Sequence, residues 1–242
     1  MISHDNTTGL TLAFDTSSRV LDVVLTDGNE HARYRADAGR RHNELLTSAI
    51  RDLLEQWRIR PQDLDGLVCC GGPGSFTGLR IGIATAKGIS AAHGIPVYAV
   101  PTLTAYRWAS NDRLVISAID GRKRRFYAEL FDGNLSMFGP VDAEPGHILE
   151  AMQALTTQEF NPFPEGDGSR IQVVGPDSEQ FIHEIETLNP VLAGRLRPDP
   201  GYYDGVAHAL VECVRGAANE AGRFLLDDAA GPEYLRPSQA EE

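Results

Sequence analysis

A glycine-rich stretch and two aspartates are the residues whose types and spacing could do chemistry. Five of the twelve residues from Gly71 to Gly82 are glycine, and the stretch follows an apolar, strand-like run. Such a strand-to-helix turn lets the backbone approach either a phosphate group or another backbone segment. Asp15 and Asp120 each end an apolar run, and two such carboxylates would suit a metal-bound nucleotide. The sequence therefore admits a small-molecule kinase or ATPase that uses both aspartates.

The glycine stretch does not fit two common catalytic motifs. A P-loop requires Lys followed by Ser or Thr after its last glycine, and Leu79 and Arg80 stand there. A hydrolase nucleophile elbow requires glycine two positions before and after its serine, whereas Ser75 has Pro73 and Thr77. The more favoured interpretation is a tight turn that begins a closely packed helix.

The elements that would position these residues occur twice along the chain. Ala13-Phe14-Asp15 is followed after eleven residues by Asp27-Gly28-Asn29, and the same pattern recurs 105 residues later at Ala118-Ile119-Asp120 and Asp132-Gly133-Asn134. Alternation and 3.6-residue periodicity predict the order βββαβα in each copy. The predicted strands are 10–14, 20–25, 30–35, 67–70, 97–100, 114–120, 126–131, 135–138 and 171–174; the predicted helices are 43–58, 79–93, 147–155, 179–188 and 205–226, with a loop at 161–168.

This element order resembles the duplicated ribonuclease H-like fold of the actin-like ATPases (ASKHA), an α/β class with two lobes. It predicts one lobe over residues 1–104 and a second over 105–242. In that architecture a nucleotide lies between the halves, beside the first-strand aspartates. The phosphate hairpin is nevertheless weak here, because no glycine follows Asp15, and we favour Asp15 as a side chain that caps its own turn. The candidate vestigial cleft comprises Asp15, Thr16, Ser17, Gly74, Ser75, Asp120 and Gly121.

Two helices of the first lobe carry a candidate partner surface. The helix after the glycine turn has small residues at a spacing of four, which lie on one helical face and allow close helix approach. The preceding helix has an apolar stripe wider than one neighbour requires. We expect a helix-bundle interface formed by Leu45, Ala49, Leu53, Gly78, Gly82, Ala86 and Ser90.

A basic run, Arg122-Lys123-Arg124-Arg125, stands out in a chain of net charge −12. Its simplest interpretation is a solvated hairpin tip. The alternative is contact with tRNA phosphates or with an acidic partner surface. The overall negative charge makes tight, independent RNA binding by the whole chain unfavourable at long range.

The sequence resembles the TsaB (YeaZ) family at several points. The most specific match is Gly72-Pro73-Gly74-Ser75-Phe76-Thr77-Gly78-Leu79-Arg80-Ile81-Gly82. Further matches occur near the start, in the first helix, at the second aspartate and near the end of the chain: Leu12 to Ser18, Arg40 to Leu46, Ala118 to Arg122 and Pro232 to Arg236. The resemblance implies a subunit in the synthesis of threonylcarbamoyladenosine beside the tRNA anticodon.

That resemblance also implies which partners do the chemistry. TsaB is the non-catalytic member that pairs with TsaD, the catalytic paralogue, and with the ATPase TsaE, so tRNA is met through the complex. The catalytic relative holds a metal through His-x-x-x-His, whereas the equivalent positions here are Thr102 and Tyr106, and none of the seven histidines has that spacing. We expect no metal, no catalytic residue and no cofactor in this chain alone, with ATP or ADP only at a shared interface. A homodimer is expected in isolation, and a glycopeptidase-like protease is the least favoured alternative.

Composition gives the expected location. Three cysteines without a framework spacing favour a reducing compartment. The first residues show no secretory leader pattern, and no apolar run is long enough to span a membrane. A cytoplasmic protein without membrane contact is therefore expected.

Overall fold

The computed structural model describes residues 9–155, 170–217, 222–227 and 229–235. These residues form two compact units. The first contains the described residues up to Ala105 together with those of Gly205–Tyr234, and the second contains those of Tyr106–Asp204 and Leu235. The sequence-based division at 104/105 differs from this grouping because it assigns Gly205–Tyr234 to the second lobe. The predicted loop at 161–168 lies outside the described residues.

The first unit is built on a mixed five-stranded sheet. The strand order is β3-β2-β1-β4-β5, with β1 antiparallel to β2 and parallel to β4. Two helices pack with this sheet around a core of Leu12, Phe14, Leu46, Leu53 and Ile83. The elements are β1 (Thr11–Asp15), β2 (Val20–Thr26), β3 (His31–Asp37), α1 (His42–Trp57), a short 3-10 helix (Pro61–Asp63), β4 (Gly66–Gly72), α2 (Phe76–His93) and β5 (Val97–Pro101).

The second unit repeats this topology. Its sheet has the order β10-β9-β6-β7-β8, so its strands are arranged as their counterparts are in the first unit. The predicted ribonuclease H-like duplication is therefore confirmed in both element order and strand order. Its elements are β6 (Leu114–Arg122), β7 (Arg125–Asp132), β8 (Leu135–Ala143), α4 (Pro145–Ala154), β9 (Ile171–Val174), α5 (Ser178–Leu188), α6 (Pro190–Ala193) and β10 (Leu196–Pro198). Two helices are shared between the units: α3 (Thr102–Trp108) is divided after Ala105, and α7 (Gly201–Gly216) belongs to the first unit from Gly205 onward.

The predicted last helix, 205–226, is wrong in its second half. Helix α7 ends at Gly216, and the chain returns to the edge of the first sheet. There the Ala99 amide donates to the Phe224 carbonyl oxygen, and the Leu226 amide donates to the Val97 carbonyl oxygen, both at 2.8 Å. Apolar residues at 224–226 fit an edge strand as well as a helix end, so periodicity alone could not separate the two.

A buried ion pair connects β2 to α7 within the first unit. Asp22 is buried and accepts from Arg33 Nε at 2.7 Å and from the Ala207 amide at 3.1 Å. The Asp22 carboxylate thus caps the helical segment that begins after the kink at Gly205. Gly205 has φ of 145°, and a Cβ there would lie 3.3 Å from the Arg33 guanidinium carbon. This packing explains why the segment after Gly205 belongs to the first unit.

Helix α2 begins where the glycine turn ends. The Ser75 hydroxyl accepts from the Gly78 amide at 3.2 Å and so caps the helix, as serine at this position commonly does. The helix ends at Gly94, whose left-handed conformation terminates it. Within the described residues, no helix is both long and apolar enough to cross a membrane.

Two glycines of α2 provide a matched test of how closely this helix packs. A Cβ on Gly78 would overlap the Thr16 carbonyl oxygen, whereas a Cβ on Gly88 would meet nothing within 4 Å. We expect Gly78→Ala to lower the free energy of unfolding by about 1–3 kcal/mol through overpacking. Gly88→Ala should raise it by about 0.5–1 kcal/mol because alanine favours a helix.

Urea unfolding of both variants measures these changes. Gly88→Ala serves as the control, since it makes the same substitution in the same helix without a close neighbour. A Gly78→Ala variant as stable as the parent protein would show that the contact with Thr16 is not tight.

Candidate functional site

The turn after β1 uses its polar groups internally. Asp15 is buried, and its Oδ1 accepts a hydrogen bond from the Ser17 amide at 2.7 Å. The Thr16 hydroxyl donates to the Gly78 carbonyl oxygen at 2.8 Å. The carboxylate closes the turn on a nearby amide, which confirms the prediction that Asp15 caps its own turn.

The glycine turn makes its close approach to backbone. A Cβ on Gly74 would lie 2.6 Å from the Ser17 carbonyl oxygen, and one on Gly78 would overlap the Thr16 carbonyl oxygen. The Ser75 amide donates to the Ser17 carbonyl oxygen at 2.6 Å. The two turns therefore pack directly on each other, and the Ser75 amide serves this contact.

A segment near the chain end lies over the start of the glycine turn. The Glu233 amide donates to the Gly71 carbonyl oxygen at 2.7 Å. The Glu233 carbonyl oxygen occupies the space that a Cβ on Gly72 would need. Three of the five glycines of the stretch are thus explained by contacts with the backbone of residues 16, 17 and 233.

An aromatic and cationic cluster, which sequence reasoning did not predict, accompanies this segment. The Tyr234 ring lies 5.0 Å from the Phe76 ring, and the Tyr234 hydroxyl accepts from Arg80 Nε at 3.1 Å. The Arg80 guanidinium lies 3.7 Å above the centre of the Phe76 ring. The matching motif Pro232–Arg236 indicated that this segment matters, but its partner in α2 cannot be read from sequence spacing. Arg236 lies outside the described residues.

The charge state of the buried groups follows from their surroundings. Burial raises the pKa of the Asp15 carboxyl above its ordinary value, although hydrogen bonds from Ser17 act in the opposite direction. Burial also raises the pKa of the Cys69 thiol to about 12 and that of the Cys70 thiol well above its ordinary value. Both thiols remain protonated at neutral pH, so neither supplies a thiolate nucleophile.

Asp120, the counterpart of Asp15, lies in a more open turn. Its carboxylate accepts from the Arg122 amide at 2.8 Å, and its own amide donates to Asp177 Oδ2 at 2.8 Å. A Cβ on the adjacent Gly121 would lie 3.2 Å from the Arg125 carbonyl oxygen. Asp15 and Asp120 thus cap corresponding turns, and their side chains differ in exposure, since Asp15 is buried and that of Asp120 is 21% exposed.

The predicted partner surface needs correction. Most of its residues are buried in the first unit, where the helix packs on its own sheet; for example, a Cβ on Gly82 would lie 2.5 Å from Thr16 Oγ1. Only Leu45 and Ser90 keep partial exposure. The sequence assigned this stripe to a partner because small residues allow close approach, but the approach is to the turn after β1. The buried members are Ala49, Leu53, Gly78, Gly82 and Ala86.

A second stripe of small residues lies on the opposite side of α2. Ala84, Gly88 and Ala92 repeat every four residues and are exposed. They are displaced by two positions from the buried stripe, which is about 200° around a helix. Arg80 begins the same exposed row, and Ala91 lies beside it. Small residues on this side are not explained by packing within the first unit.

The basic run forms the tip of the β6–β7 hairpin. Arg122, Lys123 and Arg124 are exposed, and all three have positive φ, at 67°, 52° and 59°. Arg125 is less exposed and donates from Nε to Asp142 Oδ1 at 2.8 Å. The tip is therefore solvent-facing as the sequence predicted, and Arg125 has a structural role within it.

The two positions that replace the metal-binding histidines lie in α3. Thr102 and Tyr106 are both fully buried, and the Tyr106 ring packs edge-on against Tyr202 at 5.3 Å. In the part of the chain that the structure describes, no group of three or more His, Cys, Asp or Glu side chains is arranged to hold a metal ion.

Comparison with known proteins gives the family. The model of the family described as TsaD, tRNA N6-adenosine threonylcarbamoyltransferase, matches residues 22–161, more than half of the chain. The tRNA threonylcarbamoyladenosine biosynthesis protein TsaB of Bacillus subtilis is 34% identical over 125 residues, which cover 50% of this chain and 54% of that protein. TsaB of Escherichia coli is 33% identical over 121 residues, covering 48% and 52%. The chain thus matches about half the length of these curated relatives.

Two further comparisons extend the likeness. An uncharacterised Mycobacterium tuberculosis protein is 37% identical over 148 residues, which cover 57% of this chain and 69% of that protein. The solved structure of YeaZ from Pseudomonas aeruginosa has a TM-score of 0.70 at 21% identity and covers 94% of this chain and all of that one, which supports the fold. The chain belongs to the TsaB (YeaZ) family, within the larger group of sequences that the threonylcarbamoyltransferase model describes.

Proposed function

We propose that this chain is a non-catalytic subunit of the machinery that makes threonylcarbamoyladenosine in tRNA. It would pair with a TsaD-like catalytic paralogue and with a TsaE-like ATPase, and it would meet tRNA through that complex. The family's place in this pathway is established by the relatives it matches. The partners and the absence of catalysis in this chain are the parts that we propose.

The observation that carries the proposal is the closure of the turn after β1. In a nucleotide-binding relative this turn would offer amides to a phosphate. Here the Ser17 amide donates to Asp15, and the Ser75 amide donates to the Ser17 carbonyl oxygen. A phosphate would have to displace two short hydrogen bonds, of which that to Asp15 is buried, and open the contact with Gly78. Each displaced bond leaves a buried group without its partner, which costs about 1–3 kcal/mol.

The residues at the metal positions support the same conclusion. The matching family model is that of the transferase itself, so activity in this chain is the natural alternative. Thr102 and Tyr106 stand where the catalytic relatives have histidine, and both side chains are buried. Hydroxyl groups are weaker ligands than imidazole for a transition metal. We infer that ATP or ADP binds, where it binds, at an interface that this chain shares with a partner.

We further propose that the outward row of α2 is the partner surface. Ala84, Gly88 and Ala92 are exposed and small, so another helix can approach closely along this row. Of the seven residues that the sequence predicted for this interface, Leu45 of α1 and Ser90 of α2 are partly exposed, and we keep them in the proposed surface. The same face would join two copies of the chain when the catalytic partner is absent.

Reconstitution tests the proposal as a whole. The purified chain should form no threonylcarbamoyladenosine alone, because Thr102 and Tyr106 stand at the positions of the transferase's two metal-binding histidines. Adding the TsaD-like and TsaE-like proteins with tRNA, ATP and the threonylcarbamoyl donor should give the modified nucleoside, detected by mass spectrometry of digested tRNA. Product from this chain alone, or full activity of the partners without it, would contradict the proposal.

Substitution in α2 tests the partner surface. We expect Ala84→Arg to weaken binding of the TsaD-like partner and self-association by at least about tenfold, because an unpaired guanidinium would be buried at the interface. The melting temperature should stay close to that of the parent, since Ala84 is exposed. Co-purification and light scattering measure the two associations.

Ala154→Arg is the matched control, because Ala154 is also an exposed helical alanine but lies in α4 of the second unit. It should leave both associations unchanged. Equal behaviour of the two variants would place the partner surface elsewhere.

Asp15→Asn separates a turn-capping role from a nucleotide role. Asparagine keeps an oxygen for the Ser17 amide and removes the buried charge, so reconstituted activity and neutral-pH stability should be retained. Because the folded-state pKa of Asp15 is raised, the folded protein holds this proton more tightly than the unfolded chain. Its contribution to stability therefore falls as pH rises from the ordinary pKa to the raised one. Thermal melts of Asp15→Asn should show no such loss of stability over the pH range between the ordinary and the raised pKa of Asp15.

Asp15→Ala is the control for the hydrogen bond, and we expect it to lower stability by about 1–3 kcal/mol because the Ser17 amide loses its acceptor. If Asp15→Asn keeps its melting temperature but loses activity and nucleotide binding, the kinase or ATPase alternative gains the support and the non-catalytic assignment fails.

A further inference from the structure

The tip of the β6–β7 hairpin adopts left-handed backbone conformations that its residue types disfavour. The register pairs Arg122 with Arg125, which leaves Lys123 and Arg124 as a two-residue turn with φ of 52° and 59°. Two-residue hairpins with positive φ at both central positions strongly prefer Asn-Gly or similar pairs. Arg122 adds a third left-handed residue, with φ of 67°. Three basic side chains thus occupy positions where glycine or asparagine would be the better turn formers.

The ion pairs of Arg122 and Arg124 within the second unit are long and exposed. The guanidinium of Arg122 lies 3.7 Å from Asp120 Oδ2, and that of Arg124 lies 3.7 Å from Glu184 Oε2. Their side chains are 79% and 85% exposed, and single long contacts of this kind contribute little to stability. Arg125 differs, because it is the member of the run that holds the hairpin to Asp142.

The corresponding turn of the first copy is an internal comparison. There the residues after the first-strand aspartate are Thr16, Ser17 and Ser18, all buried beneath the glycine turn. At the offset of 105 residues, these correspond to Gly121, which is buried, and to Arg122 and Lys123, which are basic, exposed and left-handed. The fold therefore tolerates a small, polar turn at this place, and the basic tip is not required by the topology.

We propose that Arg122 and Arg124 bind phosphates of an RNA backbone. Guanidinium groups form two-point hydrogen bonds with phosphate oxygens and remain charged at any physiological pH. The chain has a net charge of −12, so its overall field repels RNA. The arginines of the hairpin tip form a local positive site that attracts RNA phosphates. The contact is to the backbone and independent of base sequence.

This inference rests on the proposed function, because it identifies tRNA as the RNA that the tip meets. It adds a direct contact to a role in which tRNA was expected to be reached only through the complex. Glycine substitution provides the test, since it removes the charge while suiting the left-handed backbone. A merely structural tip should lose stability when it is altered, whereas Arg122→Gly with Arg124→Gly should keep or raise the melting temperature.

The measurement is tRNA binding by the full chain, alone and mixed with the TsaD-like partner, followed by fluorescence anisotropy across a salt series from about 50 mM. We expect the double variant to bind more weakly and to lower the slope of log K against log salt by about 1 for each arginine removed. Arg58→Gly is the matched control, because Arg58 is also an exposed arginine with positive φ, at 54°. It should leave affinity and slope unchanged.

Three results would overturn the inference. They are parent-like binding by the double variant, an equal loss in Arg58→Gly, and no salt-dependent binding by the parent in either preparation. Unchanged RNA binding with lost co-purification of the TsaE-like ATPase would instead assign the tip to an acidic protein surface. If reconstitution fails while the double variant still binds tRNA more weakly than the parent, the inference stands and the proposed function falls.

Discussion

The first turn of α2 lies so close to the turn after β1 that no side chain fits between Gly78 and the Thr16 carbonyl oxygen. The Thr16 hydroxyl then reaches the Gly78 carbonyl oxygen, and the Ser75 amide reaches Ser17. This contact fixes the position of α2 on its sheet. The inner row of small residues, Gly78, Gly82 and Ala86, packs against the first unit. The other row, Ala84, Gly88 and Ala92, therefore faces solvent, where a partner could contact it.

The contact also decides what the first copy can do chemically. A turn that binds phosphate needs free amides and room for the ligand. Packing the glycine turn on the turn after β1 uses those amides and buries Asp15, whose pKa rises because the charged carboxylate loses water. The glycines that resemble a phosphate cradle are therefore required by backbone packing. The same contact therefore packs α2 closely on its sheet and engages the Ser17 and Ser75 amides in internal hydrogen bonds.

Sequence reasoning predicted the duplication, most elements and the close approach of the glycine turn, because these depend on local patterns and on residue types with few alternatives. It assigned to a partner a row of α2 that is mostly buried against the turn after β1. Two small rows lie about 200° apart on this helix, and periodicity cannot tell which one meets the sheet. That choice depends on Thr16, which is distant in sequence from Gly78 and Gly82. The contacts of Tyr234 with Phe76 and Arg80 were missed for the same reason, as was the return of 224–226 to the edge of β5.

The turns that follow the two first-strand aspartates have the same place in the two copies of the fold but differ in residue type and exposure. The first copy keeps small, buried residues after Asp15, whereas the second carries exposed cations after Asp120. Arg122, Lys123 and Arg124 adopt positive φ, a conformation that favours glycine or asparagine, so the tip keeps its cations at a local conformational cost. The first unit accommodates small polar residues in its corresponding turn, so the topology does not require cations there, and a phosphate ligand outside the chain is the explanation that we propose for them.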